Sequence, residues 1–255
     1  MPLFVYLIIS FLMKRHFFVA ATLSLALTNA TAANETGKTK ADSVKTVALQ
    51  EVQVLSTRAG ETTPITHTDI SKSQIKSMNY GKDVPFILSL TPSVTTTSDA
   101  GNGIGYTSIR VRGTDPTRIN ITANGIPIND AESSNVYWTN MPDFASSVES
   151  MQIQRGVGTS TNGAGAFGAT INMQTENIGV KPFGGIDLSA GSYGSHKETF
   201  RFGTGLINGH WGFQGRLSNV GSDGYIDRAS SKLDSYFLQG GYFSDNTVVK
   251  FITFN

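Results

Sequence analysis

The stretch from Ile109 to Thr175 constrains the fold most, because it consists of short alternating segments separated by glycine-rich loops. Apolar and arginine residues alternate from Ile109 to Gly113, which predicts a strand with one buried face. Asn124-Gly125 separates two β-prone runs and predicts a tight hairpin, since both residues tolerate a positive φ. Further strands are predicted at Met151–Arg155 and Ala169–Thr175. Short strands and polar loops of this kind do not suit a catalytic α/β core.

Four short motifs occur here in a fixed order. They are Arg112-Gly113, Asn124-Gly125-Ile126-Pro127 with Asp130, Val148-Glu149-Ser150-Met151 leading into Arg155-Gly156, and Gly168-Ala169-Thr170-Ile171-Asn172-Met173. In this order and spacing they resemble the plug domain of TonB-dependent outer-membrane receptors. The resemblance implies an α+β plug domain of short strands and helices at residues 61–176. Val157 and the Ser160–Gly163 run depart from the commonest pattern, and the run from Arg155 to Gly165 is similar to receptors of Bacteroidetes-type bacteria.

Composition and charge exclude several classes of function. A net charge of +1 gives no reason to expect nucleic acid as a partner. The chain has no cysteine, which excludes disulfides, thiolate zinc sites and thiol nucleophiles. Three histidines, His67, His196 and His210, are scattered without metal-ligand spacing, so no metal site is expected.

The run from Gly163 to Gly168 matches the G-x-G-x-x-G pattern of dinucleotide-binding loops. That reading needs a helix directly after the glycines, so that its N-terminus faces the pyrophosphate. Here Ala169–Gln174 is an alternating, β-prone segment instead. A glycine-rich plug loop is the better interpretation, and we expect no cofactor and no enzymatic activity.

The N-terminus predicts a secretory signal peptide over residues 1–32. Met13-Lys14-Arg15-His16 supplies the basic start, Phe17–Leu27 the apolar run, and Ala30-Thr31-Ala32 the cleavage site. The alternative is a membrane anchor, but the apolar run is well short of the ~20 residues that span a bilayer. Residues 1–12 are apolar and precede the basic start, which favours a true start at Met13.

Residues 33–60 are expected to be a flexible segment that carries the site for TonB. The start of this segment is polar and poor in large apolar residues. Glu51-Val52-Gln53-Val54-Leu55 then alternates with a period of two. The resemblance implies that such a segment binds TonB by strand addition, through main-chain hydrogen bonds. The alternative is that it forms the first strand of the plug.

Two short helices are predicted between this segment and the strands, at Ser71–Met78 and Asp83–Leu90. A polar loop is predicted at 95–106 and another at 131–140. The resemblance implies that these loops face the ligand, with Asn102, Tyr106, Tyr137 and Trp138 as candidate contacts. Aromatic rings with polar edges suit stacking on a ligand. Trp138 has a second interpretation, as an anchor of the plug against the barrel wall.

Arg110, Arg112 and Arg155 are charged residues on or beside strands that a barrel would cover. A buried arginine must be paired, and its guanidinium binds carboxylates well. By resemblance, such arginines make plug–barrel contacts with acidic residues of the barrel interior. The alternative is that lumen water solvates them.

Residues 182–255 have the pattern of the first antiparallel strands of a transmembrane β-barrel, incomplete in this sequence. Apolar and polar residues alternate in ~10-residue segments, as in outer-membrane barrels. The apolar positions include Ile186, Leu188, Phe200, Phe202, Trp211, Phe213 and Leu217. Short turns are predicted at Asn208-Gly209 and 244–246, and a longer loop at 221–232. A closed barrel needs more strands, so we expect an N-terminal fragment of a longer receptor.

The sequence therefore predicts a TonB-dependent receptor in the outer membrane of a Gram-negative bacterium. The expected partners are TonB, outer-membrane lipid and a scarce small-molecule ligand such as a ferric siderophore or similar iron complex, with no nucleic acid. The alternative from another class is a secreted or surface β-rich binding or adhesion module without transport.

Overall fold

The computed structural model of the 255-residue chain describes residues 57–60, 62–158, 160–163 and 165–255. Helices and strands follow one another in this order: β1 (His67–Ser71), α1 (Lys72–Met78), α2 (Val84–Ile87), β2 (Val94–Ser98), β3 (Thr107–Val111), β4 (Ile119–Ala123), β5 (Ile126–Pro127), β6 (Val148–Arg155), β7 (Ala169–Thr175), β8 (Pro182–Ala190), β9 (His196–Ile207), β10 (Trp211–Ser222), β11 (Ser231–Ser244) and β12 (Thr247–Phe254). Short 3-10 helices lie at Pro116–Arg118, Trp138–Asn140, Phe144–Ser147 and Ser160–Asn162. Among these described residues, no helix has the length and apolar character needed to cross a membrane.

Two predicted features lie outside the described residues. They are the signal peptide at residues 1–32 and the TonB-binding residues Glu51–Leu55. Both remain predictions.

The N-terminal part of the structure, residues 57–176, is built on a mixed sheet of order β1-β6-β7-β4-β5. β4 and β7 are parallel, and the other pairs are antiparallel. One face of this sheet forms an apolar core with both short helices, to which Ile75, Leu88, Met151, Ile153 and Ile171 contribute. The hairpin predicted at Asn124-Gly125 is confirmed, with φ of 52° and 82° at these residues.

Helix α1 begins where the sequence predicts. The Ser71 N–H donates to Gln74 Oε1 at 2.9 Å, which satisfies one of the free main-chain donors at the helix start. Ile75 is buried on the inner face of the helix. Helix α2 is shorter than predicted and ends at Ile87, with Pro85 in its first turn.

The loop predicted at 95–106 is partly wrong, because its first residues belong to β2. This strand pairs antiparallel with β3, from Val94 opposite Val111 to Ser98 opposite Thr107. Consecutive threonines are β-branched and favour extended backbone. Only the glycine-rich remainder, residues 99–106, connects the two strands.

The last five strands form an antiparallel meander, β8 to β12, in which each strand pairs with the next. Residues 208–210 and 245–246 connect the strands at one end, and residues 191–195 and 223–230 connect them at the other. Short turns at one end and longer loops at the other are typical of outer-membrane barrels. The turn predicted at Asn208-Gly209 is confirmed.

The alternation of the meander has the predicted direction, with apolar side chains outward and polar ones inward. Phe213 and Leu217 of β10 are 47% and 50% exposed, whereas Gln214, Arg216 and Ser218 between them are buried. The polar inner face is buried because the N-terminal part lies against it, as the contact of Arg216 with Ser147 shows. A soluble sandwich would bury the opposite, apolar face.

Aromatic pairs lie at both ends of the meander. Trp211 and Tyr242 are 4.8 Å apart between ring centroids beside the short turns. Tyr193 and Tyr225 are 5.4 Å apart in the longer loops. One aromatic pair at each end of an apolar outer face resembles the aromatic girdles of outer-membrane barrels.

Candidate functional site

A small cavity opens on the N-terminal part beside the longer loops of the meander. It has a volume of about 180 Å³ and is lined by side chains of β2, β3 and the segment around residues 135–139. Tyr106, Tyr137 and Trp138, three of the four predicted ligand-facing residues, line it together. The structure thus brings into one place residues that are distant in the sequence.

The three aromatic residues have different exposure. Tyr106 and Tyr137 are 68% and 47% exposed and form the rim, whereas Trp138 is 3% exposed and belongs to the apolar core. A phenol ring at the rim can stack on a ligand and donate a hydrogen bond from its hydroxyl. Trp138 forms the floor of the cavity and gives it shape.

Asn102, the fourth predicted contact, does not line the cavity. Its side-chain carbonyl accepts from the Ile104 N–H at 3.1 Å, which closes a turn in the loop 99–106. The same loop is bound to the meander, because the Tyr225 N–H donates to the Ala100 carbonyl at 2.9 Å. The cavity therefore lies at the long-loop end of the strands.

Asp83 holds the cavity loop from inside. The Thr107 hydroxyl donates to its carboxylate at 2.8 Å. Burial raises the pKa of Asp83 to about 7, against the opposing effect of hydrogen bonds from Thr107 and the Gly105 main chain. Asp83 thus changes charge near neutral pH, directly beneath residues that line the cavity.

A second constellation joins the N-terminal part to the meander, and the sequence did not predict it. Asp143 lies 2.8 Å from Lys197 Nζ on β9 and 3.0 Å from Arg216 Nη1 on β10. All three side chains are at most 4% exposed. The hydroxyls of Thr199 and Ser218 also donate to the Asp143 carboxylate.

The electrostatics of this cluster favour an ionised aspartate. Burial alone would raise the pKa of Asp143, but the charges of Lys197 and Arg216 and the hydrogen bonds from Lys197 and Ser146 lower it to about 2. The carboxylate is thus charged at every physiological pH, and it offsets two buried cations.

The neighbours of Arg216 explain why an acid is needed at position 143. It stands directly opposite Arg201 in the β9–β10 register, and like charges facing each other across a pair of strands are destabilising. Arg201 is paired with Asp187 at 2.9 Å and lies near Glu176 at 4.0 Å. Asp143 and Glu176, both outside the meander, therefore add negative charge to that of Asp187 on β8.

The sequence contains a signal that points to this cluster, namely three cations on the inward face of the predicted barrel strands. Lys197, Arg201 and Arg216 occupy inward positions of predicted barrel strands, between outward residues such as Phe200 and Leu217. Three cations on a face that something covers require acidic partners. The sequence does not show that Asp143 is one of these partners.

Apolar packing surrounds the ion cluster. The ring of Phe144 lies 5.0 Å from that of Phe254 and 6.3 Å from that of Phe237, between centroids. Phe237 and Phe254 belong to the meander, so the N-terminal core continues across the junction. Charged and apolar contacts thus fix the two parts together at adjacent positions.

Comparison with known proteins identifies the N-terminal part. Residues 59–170 match the family model described as the TonB-dependent receptor plug domain. The chain contains a TonB-dependent receptor plug domain. The N-terminal part is therefore the plug, and the meander is the set of strands that follows it. No curated protein matches the sequence significantly.

Solved structures share the fold of plug and meander. FpvA from P. aeruginosa bound to a pyoverdine matches with 18% identity and a TM-score of 0.63, over 74% of this chain and 24% of FpvA. The siderophore receptor PirA from Acinetobacter baumannii matches with 18% identity and a TM-score of 0.58, over 74% and 31%. The ferric yersiniabactin uptake receptor FyuA from Yersinia pestis matches with 15% identity and a TM-score of 0.59, over 74% and 31%.

These matches confirm the predicted fold class, an α+β plug followed by antiparallel strands that resemble the start of a barrel. The chain spans between 24% and 31% of the length of the three solved proteins. PirA is described as a siderophore receptor and FyuA as an uptake receptor.

Two of the three arginines predicted to contact the barrel, Arg110 and Arg155, make side-chain contacts inside the plug. Arg110 lies 3.7 Å from Asp115 and is half-exposed. Arg155 is buried and donates to the Thr68 hydroxyl and the Pro92 carbonyl. Arg112 is exposed, with a left-handed φ of 53°. Their role at a barrel wall stays a prediction, and the described junction relies on Asp143 instead.

Proposed function

We propose that this protein is a TonB-dependent outer-membrane receptor that takes up a ferric siderophore or similar iron complex. The observation that carries the proposal is the plug held against the polar inner face of strands whose outer face is apolar. Such an arrangement suits a membrane wall with a plug in its lumen. A protein that is wholly surrounded by water would gain nothing from this arrangement.

The ligand class follows from the cavity and from the solved relatives. Structures that share the fold carry descriptions as siderophore or ferric siderophore receptors. The rim tyrosines, Tyr106 and Tyr137, offer flat rings and hydroxyls to an aromatic, oxygen-rich iron complex. A cavity of about 180 Å³ is smaller than the ~300–1,000 Å³ of typical small-molecule sites. It would hold one side of the ligand, and barrel loops would hold the rest.

Energy coupling would enter through the chain that precedes the plug in the sequence. Glu51–Leu55, proposed as the TonB-binding segment, is separated from Thr57 by a single residue. Strand addition to this segment would let TonB pull on the plug through the main chain. The protein would catalyse no covalent chemistry.

A secreted adhesion module is the second candidate, and the outer face of the meander disfavours it. Phe200, Trp211, Phe213, Leu217 and Phe251 are each at least 46% exposed on that face. A continuous apolar surface of this size on a soluble protein promotes aggregation. Outer-membrane lipid is the partner that suits it.

Iron uptake by the native bacterium tests the proposal. Cells that carry the gene should accumulate radiolabelled ferric siderophore from a mixed panel, and a deletion strain should lose uptake of one panel member. A protonophore should stop that uptake and leave surface binding intact. If deletion changes cell adhesion but the uptake of no iron complex, the adhesion module replaces the receptor.

A further inference from the structure

The mixed sheet of the plug has two buried faces of opposite character. The apolar face carries Met151, Ile153, Ile171 and Met173, and the polar face carries Gln152, Gln154, Thr170 and Asn172. Every one of these side chains is at most 3% exposed. A buried amide costs free energy unless it is hydrogen-bonded. The polar face thus needs a polar cover, and residues 57–60, the strap, supply it.

The strap is bound through its main chain. The Ala59 N–H donates to Gln152 Oε1 at 2.8 Å, and Gln152 Nε2 donates to the Ala59 carbonyl at 2.9 Å. The Thr57 carbonyl accepts from Gln154 Nε2 at 2.7 Å and from Asn172 Nδ2 at 3.1 Å. Side-chain amides here take the place of the main-chain groups of a neighbouring strand. The strap therefore runs along β6 as a neighbouring strand would, with Ala59 bound to Gln152 and Thr57 bound to Gln154.

Arg58 adds a second set of bonds from the strap. Its guanidinium donates to the Ser150 hydroxyl at 2.9 Å, to the Ser150 carbonyl at 3.1 Å and to the Asn172 carbonyl at 3.0 Å. These acceptors lie on β6 and β7. The strap is thus tied to both central strands of the sheet.

Further bonds fix the orientation of the amides. Asn162 Nδ2 donates to Gln154 Oε1 at 2.9 Å, so Gln154 must turn its Nε2 toward the strap. Gln152 Nε2 also donates to Asp69 at 2.8 Å. The polar face is therefore prearranged to bind extended backbone.

The chemistry of this attachment suits reversible release. A hydrogen bond acts over a short distance, and water can replace it once the strap has moved. An apolar attachment would instead expose surface to water on release. The strap is also the first described segment after Glu51–Leu55, so tension on those residues reaches it before any other part of the plug.

We propose that Gln152, Gln154 and Asn172 form a latch that holds the strap on the sheet and sets how readily the strap is released when TonB pulls on the chain before it. These three are positioning residues for transport, since they hold the strap and do not line the cavity. The proposal rests on the proposed function, because it takes Glu51–Leu55 as the point where TonB pulls.

A cysteine placed in the strap tests whether the strap is released, in the receptor expressed from its native gene. Ala59 is buried and its side chain makes none of the strap bonds, so Ala59→Cys leaves them in place. The sequence given has no other cysteine, and the parent receptor gives the labelling background. The strap thiol should react with a permeant maleimide at least tenfold faster during transport than in cells without TonB.

Gln154→Met should raise the TonB-independent labelling of the strap thiol by about tenfold, because it removes the bond to Thr57 at nearly constant volume. Gln174→Met is the matched control, since Gln174 lies on the same face of β7 as Asn172 and makes no described bond to the strap. An Ala123→Cys reporter in the core should stay unlabelled in both variants. Equal labelling of both reporters would mean general unfolding and would overturn the proposal.

The two proposals fail in different ways. If uptake depends on TonB but the strap thiol is never labelled during transport, the strap is not released and the amides are not a latch, while the receptor function stands. Identical labelling in Gln154→Met and Gln174→Met would overturn the role of the amides. If uptake continues without TonB, the proposed function fails, and the strap proposal fails with it.

Discussion

At the scale of single residues, Asp143 determines how plug and meander fit together. Its backbone has a left-handed φ of 51°, a conformation that aspartate tolerates better than most residues. That geometry aims the carboxylate at Lys197 and Arg216, which are buried on neighbouring strands. One acid thus supplies the counter-charge for two buried cations.

Replacement of this carboxylate should loosen the junction. Asp143→Asn leaves Lys197 and Arg216 buried and uncompensated, which costs about 3–5 kcal/mol in comparable sites. Guanidinium titration of the purified receptor, followed by protease resistance of the plug, should show a lower midpoint. Asp115→Asn is the control, because its contact with Arg110 is half-exposed and should leave the midpoint unchanged. Equal midpoints for the two variants would contradict the account.

The pKa of Asp143 also defines when its contribution disappears. The folded-state pKa of about 2 is below the ordinary value of about 4 for the unfolded chain. The stabilisation is therefore complete above about pH 4 and is lost as the pH falls toward 2.

The pKa of Asp83 is shifted in the opposite direction, which predicts that the stability of the plug depends on pH up to neutrality. Its pKa is raised to about 7, so the folded plug keeps the proton that the unfolded chain loses near pH 4. Plug stability should fall as the pH rises from about 4 to 7, by about 2–4 kcal/mol, and then level off. Asp83→Asn should remove this slope and keep the Thr107 bond. Denaturation midpoints at pH 5 and pH 8 that fall equally in both proteins would refute the shift.

At the scale of elements, local patterns were sufficient for most strands and turns. Alternation predicted β6, β7 and the first three meander strands, and Asn124-Gly125 predicted its hairpin, because both signals depend on neighbouring residues. The strand β2 was missed, since the glycines that follow suggested a continuous loop. Helix α2 was predicted too long, because the first stop signal in the sequence, Thr91-Pro92, lies beyond Ile87, where the helix ends.

The contacts between plug and meander and the contacts of the strap could not be predicted from local sequence patterns. Asp143 and Arg216 are 73 positions apart, and only the docked arrangement brings them together. In β6, polar Gln152 and Gln154 alternate with apolar residues, yet they are as buried as Ile153. Strand alternation distinguishes two faces, but it does not reveal that a distant segment covers the polar one.

The outer face of β10 gives a prediction for a whole element. Leu217 lies near the middle of this strand and faces outward, so Leu217→Arg would put a charge in lipid. We expect a loss of about 2–4 kcal/mol, as for arginine near a bilayer midplane. The urea midpoint of the assembled receptor measures it. Leu217→Phe is the matched control, and an equal response of both variants would argue against a lipid-facing strand.

At the scale of the whole molecule, one chain carries a plug, a predicted membrane wall and a predicted site for TonB. The family match and the shared fold establish the plug and the strands after it. The cavity and the strap lie in this one plug, so ligand binding and force would act on a single sheet and its loops. Export, membrane location and coupling are the predictions that connect these parts.

Export has a simple test. The basic start and the Ala30-Thr31-Ala32 site predict cleavage by signal peptidase. N-terminal sequencing of the receptor from outer membranes should begin near Ala33. An intact Met13–Ala32 segment on the mature protein would contradict a cleaved signal peptide and favour an anchor.

Uptake by a Val52→Pro receptor tests the central claim most directly. Proline lacks the N–H that strand addition to TonB requires, whereas Val52→Ala retains it. We predict that Val52→Pro cells bind the ferric siderophore as well as wild type and accumulate none, while Val52→Ala cells accumulate it normally. Normal accumulation by Val52→Pro cells would contradict a receptor driven by TonB through this segment.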